Sequence, residues 1–577
     1  MRNASVPSML ILASILLSAC AGTGTGTATS QRSESSQPAA APTRTQLVVQ
    51  TRGEPISLAI RAFQTVGGGS YPHLVLNATF DDQDEKGDAF PVLVEALPQL
   101  NTDSWRVFPD GTMETTYRLK QGVAWHDGTP LDAKDFVFAW QVYANPSSGS
   151  AGIAPVGEMQ EVSAPDSRTV VIRWRRPFPG AGVISTRNQT GYGALPRHVL
   201  EQPYNAGNFE AFANHAFWTD EFIGLGPYRL TRWERGQEID AVAFDGFVLG
   251  RPKIERLRIV IANDSNAAVA SLLSGDADIA LDYVLQYPDG AVLQQQWAAN
   301  KDGTVIFNPV LLWFGQIQLR PDQVSTPALL DVRFRQALAH GMDKHALNDA
   351  LMGGQGVVTE GLLHPRASYY SLIEPSIVKY PHDTRRAQQL LDEMGLQRGG
   401  DGFYLGPDRQ PFSLEIMGLS NPTWEAEDAI VVEAYRRMGV NAQGRIIPSA
   451  LFGDGQVRAS FGAMQLTGTG GFERAMFGLT STAISRPETR WQGTNRGAWS
   501  DPTYDRVWDL YNTTLDLPTQ YELLAQMEKI QSAEVPQIPM YYTPLITPFR
   551  AGLTGPLLRT GGNADTLFKI WEWEWRS

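Results

Sequence analysis

The chain has 577 residues, too many for one hydrophobic core, so two or three domains are expected. With 42% hydrophobic and 19% charged residues it has the composition of a soluble globular protein, and after the N-terminus no apolar run is long enough to span a bilayer. A net charge of −13 argues against nucleic acid as a partner, because phosphate binding needs a basic face.

Met1-Arg2 is a short positive segment, and Met9 to Leu17 is an apolar run too short to be a membrane anchor. Leu17-Ser18-Ala19-Cys20 follows and resembles the lipobox of bacterial lipoproteins. Residues 1–20 are therefore expected to be an export signal, with Cys20 the lipidated first residue of the mature chain. Cys20 is the single cysteine, so no disulfide is expected within the fold. Residues 21–44, rich in Gly, Thr, Ser, Gln, Ala and Pro, read as a flexible tether.

Regular structure is expected to begin with a strand over Thr45–Arg52, ended by Gly53. Residues 114–140 are the most informative stretch. Thr116 to Leu119 alternate as a half-buried strand, Gly122 breaks it, and His126-Asp127-Gly128 forms a tight turn. Asp132 then caps a helix that buries Phe136, Ala139, Trp140 and Tyr143. Residues 156–175 read as two strands around a Pro165-Asp166 turn, and Leu257–Ile261 as another strand. A helix over Asn263–Ser274 is stopped by Gly275, and Asp276 and Asp278 beyond it read as a solvated loop, not a metal site.

Further on, Asp331 caps a helix carrying Phe334, Leu338 and Met342, and Asp383 caps one that buries Ala387, Leu390, Leu391 and Met394. Leu414–Met417 is a strand, Ala426–Met438 a helix ended by Gly439, and Val440–Ala442 opens the next strand. The β-α-β-α alternation indicates an α/β lobe. Thr519-Gln-Tyr-Glu522 reads as a capping box before Leu523, Leu524, Met527 and Ile530.

The run Tyr117-Arg-Leu-Lys-Gln-Gly-Val-Ala-Trp-His-Asp-Gly-Thr-Pro-Leu-Asp-Ala-Lys-Asp135 resembles the signature of the peptide-type, family 5 extracellular solute-binding proteins of bacterial ABC importers. Asp132 stands where that family more often has a Thr cap. Gly226-Pro-Tyr-Arg-Leu230, Asp276-Ala-Asp-Ile279, the 331–343 helix, the Gly439-Val-Asn-Ala442 strand opening and Val535-Pro-Gln-Ile-Pro-Met-Tyr-Tyr542 resemble further family landmarks, in the same order.

The resemblance implies a two-lobed α/β periplasmic-binding-protein (Venus flytrap) fold, type II-like, with an extra small subdomain in the first lobe. Lobe I is expected over 45–70, 217–317 and 541–577, the accessory subdomain over 71–216, and lobe II over 318–540. It also implies a monomeric extracytoplasmic receptor held to the membrane only through a lipid. Such a receptor captures oligopeptide-like solutes between its lobes and hands them to an ABC permease with its ATPase subunits. No cofactor or metal is implied.

The chain has no Gly-x-Ser-x-Gly elbow, no Walker loop, no His-Glu-x-x-His and no cysteine nucleophile, so catalysis is not expected. An extracytoplasmic hydrolase and a sensory or adhesive lipoprotein are the alternatives from other classes. Peptide binders of this family often place an Asp near Gly470 or Gly471 to hold the ligand ammonium, and no acid stands there. Glu473 is the nearest substitute, with Arg474 beside it for a carboxylate. Trp313, Trp424 and Trp491 are the candidate stacking surfaces at lobe junctions and loops. The missing acid and the fifteen tryptophans keep an oligosaccharide or other non-peptide solute as the alternative cargo.

Overall fold

The computed structural model describes residues 44–61, 72–149, 151–184, 191–406, 408–470, 472–489, 491, 493–559 and 566–576. Residues 44–577 form one compact unit. The expected signal segment, Cys20 and nearly all of the tether lie outside the described residues. Among the described residues no helix is long and apolar enough to cross a membrane.

An eleven-stranded mixed sheet organises the molecule. Its order is Ala442–Ile447, Leu414–Leu419, Met464–Gly470, Gly303–Ile317, Gln537–Arg550, Ile279–Ala280, Gln46–Thr51, Arg256–Ile261, Glu238–Ala243 and Tyr228–Glu234. Val357–Val358 pairs with Gln537–Arg550 off this path. The two longest strands, Gly303–Ile317 and Gln537–Arg550, lie antiparallel from Gly303 opposite Arg550 to Gln316 opposite Gln537. One end of this ribbon meets Ile279–Ala280 through Phe549, and the other meets Met464–Gly470 through Leu311–Ile317. The ribbon therefore joins two groups of strands, each with its own buried core.

Near the middle of the ribbon Pro309 is the register partner of Pro544, and the register shifts between Pro309 and Leu311. Neither proline has an N–H, so the ladder is weakest there.

The 114–140 stretch folds as its residues dictate. Met113–Arg118 is a strand of a separate four-stranded sheet, and Gly122 and Gly128 both adopt positive φ. Asp132 accepts from Lys134 N at 2.8 Å, and Asp135 reaches back to Asp132 N at 3.1 Å, opening the helix Ala133–Tyr143. His126 is buried; its Nε2 meets Gly226 O at 3.0 Å and its Nδ1 accepts from Gly224 N at 3.1 Å. The turn is thereby bound to the Gly226-Pro-Tyr segment. Burial pulls the His126 imidazole down to about 4, so it stays neutral.

Four local expectations are corrected. The helix expected from Ala426 spans Pro422–Met438, because Asn421 accepts from Thr423 N and Pro422 suits the first helical position. The capping box expected at Thr519 is not the cap. The helix is Leu517–Glu534, Asp516 accepts from Thr519 N at 3.0 Å, and Thr519 sits in the first turn. Asp278 is fully buried, takes Val48 N at 2.8 Å and pairs with Arg44 at 2.7 Å, so it is no solvated loop residue. The turn expected at Pro165-Asp166 falls after Asp166, the last residue of its strand.

Candidate functional site

Met464–Gly470 is central to the site. It runs parallel to Leu414–Leu419, with Ile416 beside Met464, and antiparallel to Gly303–Ile317. The carboxyl edge of such parallel strands is where open α/β sheets hold ligands. Alternation sends Met464 and Leu466 to one face, and Gln465 and Thr467 to the other.

On the first face Trp313 is 4% exposed and stacks on Trp424, with ring centroids 4.9 Å apart and planes 14° apart. Trp424 lies in the first turn of Pro422–Met438, not in a loop, and is half-buried. The Trp313 indole N–H donates to Glu427 at 2.6 Å, and the Tyr541 hydroxyl donates to the other Glu427 oxygen. Burial pushes the Glu427 carboxyl up to about 7 despite both donors. Gly468 is required beneath this group, because a Cβ there would meet Trp313 Cε3 at 2.4 Å. Trp313 is thus committed to packing, and one face of Trp424 is covered by it.

The second face is polar. Gln465 is fully buried and lies opposite Gln316, itself 3% exposed. Gln316 Nε2 donates to Thr494 O at 3.4 Å, and Arg458 donates to the Thr467 hydroxyl at 3.0 Å. Burial, then repulsion from Arg458 and Arg474, draws the half-buried Arg496 down to about 9. Burial and Arg474 lower Arg458 in the same way. Of these residues only Arg474 is among the candidates read from the sequence. The readable sign was the polar alternation of Gln465, Thr467 and Thr469 inside an otherwise buried strand.

The remaining sequence candidates divide between places. Gly470 ends the strand opposite Leu311, with open space where a Cβ would stand, and a helix follows over Phe472–Phe477. Gly471 and the Glu473 side chain lie outside the described residues. Arg474 is exposed and belongs to the arginine group. Trp491 is half-buried at φ +61°, with the Arg320 guanidinium 5.4 Å from its ring. Its backbone packs against Gly455, which opens the short helix carrying Arg458. Trp491 therefore packs on the segment that carries Arg458. Among the described residues no group of His, Cys, Asp and Glu is arranged to hold a metal ion. A cavity of about 40 Å³ lined by Asn77, Thr79, Asp82 and Trp571 lies elsewhere, with room for a few waters and not for a peptide.

A two-group sheet bridged by one long ribbon, with buried polar side chains on one face of an inner strand, defines a bilobal binding protein. The sequence profile of the bacterial extracellular solute-binding proteins, family 5 (middle), matches residues 95–487, and the chain belongs to that family. An ABC transporter peptide-binding protein of Brucella ovis is 29% identical over 296 residues, which cover 51% of each chain, so the match spans about half the length of that relative. The dipeptide-binding protein of Escherichia coli is 25% identical over 488 residues, covering 80% of this chain and 83% of that one. Among solved structures, NikZ of Campylobacter jejuni in complex with Ni(L-His) superposes with a TM-score of 0.73 at 20% identity, covering 92% of this chain and 99% of that one.

Proposed function

We propose that this protein is the extracytoplasmic substrate-binding component of an ABC importer, capturing oligopeptide-like solutes between its lobes and delivering them to a permease with its ATPase subunits. Cys20 would carry the lipid that keeps it at the membrane, and it would act as a monomer. The observation that carries the reading is the Gly303–Ile317 and Gln537–Arg550 ribbon with facing Pro309 and Pro544. A ribbon that joins two cores and loses ladder donors midway is a hinge, and hinge closure over a solute makes and breaks no bond. The peptide-binding names of the Brucella ovis and Escherichia coli relatives support the cargo class.

The alternative cargo is a non-peptide solute, favoured by the Ni(L-His) complex of the Campylobacter jejuni neighbour. An oligosaccharide has less support, since the Trp313–Trp424 stack spends two of the three candidate rings on each other. The test is isothermal titration of the protein with di- to octapeptides and with nickel–histidine, together with analysis of the recovered solute. Binding with the solute intact supports a receptor, whereas turnover would make it a hydrolase.

A further inference from the structure

The carbonyl of Pro309 lies at the weak point of the ribbon, and its register partner Pro544 has no N–H to give it. A side chain gives one instead. His364 Nε2 meets Pro309 O at 2.7 Å, although the two residues are 55 apart in the chain. The other ring nitrogen, Nδ1, accepts from Arg366 N at 3.0 Å and so carries no proton. Burial holds the imidazole below its ordinary value and keeps it neutral. Its one proton is therefore on Nε2, the atom that meets the carbonyl.

The segment carrying His364 is fixed on one side of the prolines. Val357–Val358 pairs with Tyr542 and Tyr541, and Thr359 N donates to Met540 O at 3.1 Å. Glu528, fully buried in the helix Leu517–Glu534, accepts from Leu362 N at 2.8 Å and from Leu363 N at 2.9 Å. The Tyr542 hydroxyl donates to Leu362 O at 2.6 Å, and the His364 ring lies against Tyr542 with centroids 4.2 Å apart. Leu362, Leu363, Met527 and Tyr542 share one buried core. His364 thus projects from a rigid support. On the other side of the prolines, Asn308 is held by Thr547 and by Arg559 N. Two successive residues of one strand, Asn308 and Pro309, are therefore tied to opposite sides of the hinge.

We propose that His364 is a positioning residue for lobe closure: its Nε2–H stands in for the missing ladder donor at Pro309 and confines the bend of the ribbon to the Asn308–Pro309 step. The inference rests on the hinge reading of the ribbon and adds a named part to it. A side-chain donor suits this place because it turns about its own bonds and follows the carbonyl as the strands rotate. With the pin in place the lobes move along one path. Without it the ribbon bends at several places, and a solute must order them before it is enclosed.

The experiment compares the native protein with His364→Gln, whose amide nitrogen reaches the place of Nε2, and His364→Asn, whose amide oxygen keeps only the bond from Arg366. Hydrogen exchange across Val310, Thr543 and Leu545 should run about fivefold faster in His364→Asn, the factor that one net hydrogen bond supplies. In His364→Gln it should stay near the native rate, and Val305 and Gly315 should be unchanged in both. A histidine that only fills space would lose as much from either substitution. Equal exchange at the hinge in all three proteins, or an equal rise in both variants, overturns the pin. If neither variant folds, the ring nitrogen shifts of the native histidines decide: a His364 proton on Nε2 supports the pin and one on Nδ1 overturns it. A panel of di- to octapeptides separates the pin from the receptor. A peptide that binds the native protein should bind His364→Asn about fivefold more weakly and His364→Gln nearly as well. Equal binding by all three would overturn the pin and leave the receptor standing, whereas the expected exchange pattern without binding of any peptide would leave the pin and remove the peptide cargo.

Discussion

Pro309 and Pro544 face each other across the ribbon that joins the two groups of strands. Two donors are missing at one level of the ladder, and the register shifts beside it. Just before this break a buried network holds the ribbon: Asn308 donates to Thr547 at 3.1 Å, and Asn308 Oδ1 accepts from Arg559 N at 3.0 Å. Arg559 in turn grips Asp282 at 2.7 and 2.8 Å. A firm clamp beside a weakened ladder localises bending. Hydrogen exchange should therefore be faster at Val310, Thr543 and Leu545 than at Val305 and Gly315 of the same ribbon. Uniform protection along both strands would mean the prolines do not mark the flexible point.

The Arg559–Asp282 pair is 3% and 2% exposed, so removing one partner leaves a buried charge behind. Asp282→Ala should cost about 3–5 kcal/mol of unfolding free energy. A urea denaturation midpoint little different from native would show that the arginine finds another partner.

Gly468→Ala tests the packing under the tryptophan stack. Its Cβ would lie 2.4 Å from Trp313 Cε3 and 3.0 Å from Leu312 O, and Trp313 is held by Glu427 and Trp424 and cannot yield easily. A loss of about 1–3 kcal/mol is expected. Tryptophan fluorescence in urea reports both the midpoint and the disturbed indole, and a midpoint equal to native would show that Trp313 yields to the added methyl.

Two buried groups should pull stability in opposite directions with pH. Glu427 is raised in the folded state from 4.5 to about 7, so its contribution is present below pH 4.5 and is lost as pH rises through about 7. His126 is lowered from 6.5 to about 4, so its contribution is present above pH 6.5 and is lost as pH falls toward 4. Glu427→Gln should therefore gain on the native protein as pH goes from 5 to 8. His126→Gln should gain on it as pH goes from 7 to 5. Urea midpoints at these pH values read both slopes, and parallel curves for variant and native would refute the assignments.

Much of the fold could be read because its local rules are strong. Asp132, Asp331 and Asp383 cap the helices expected of them, and Gly275 and Gly439 end theirs at positive φ. The helix Pro422–Met438 begins before the expected Ala426 because Asn421-Pro422, a pair equally at home in a loop, is a helix start here. That single boundary moved Trp424 from a loop to a packed first turn. The polar face of the site was harder to see. Arg458 and Arg496 are 38 residues apart, and only the fold brings them near each other, with Arg458 on the Thr467 hydroxyl. Sequence patterning reports which residues are buried, and much less about which buried polar groups share a patch.

The central claim is that this chain is a receptor that binds a peptide-like solute without changing it. Titration of the purified protein with a di- to octapeptide panel, followed by recovery and mass analysis of the peptide, tests it most directly. The account predicts saturable binding of at least one peptide, recovery of that peptide intact, and about 2.7 kcal/mol of added stability at a hundredfold excess over the dissociation constant. Cleaved peptide, or no binding by any member of the panel, would contradict it.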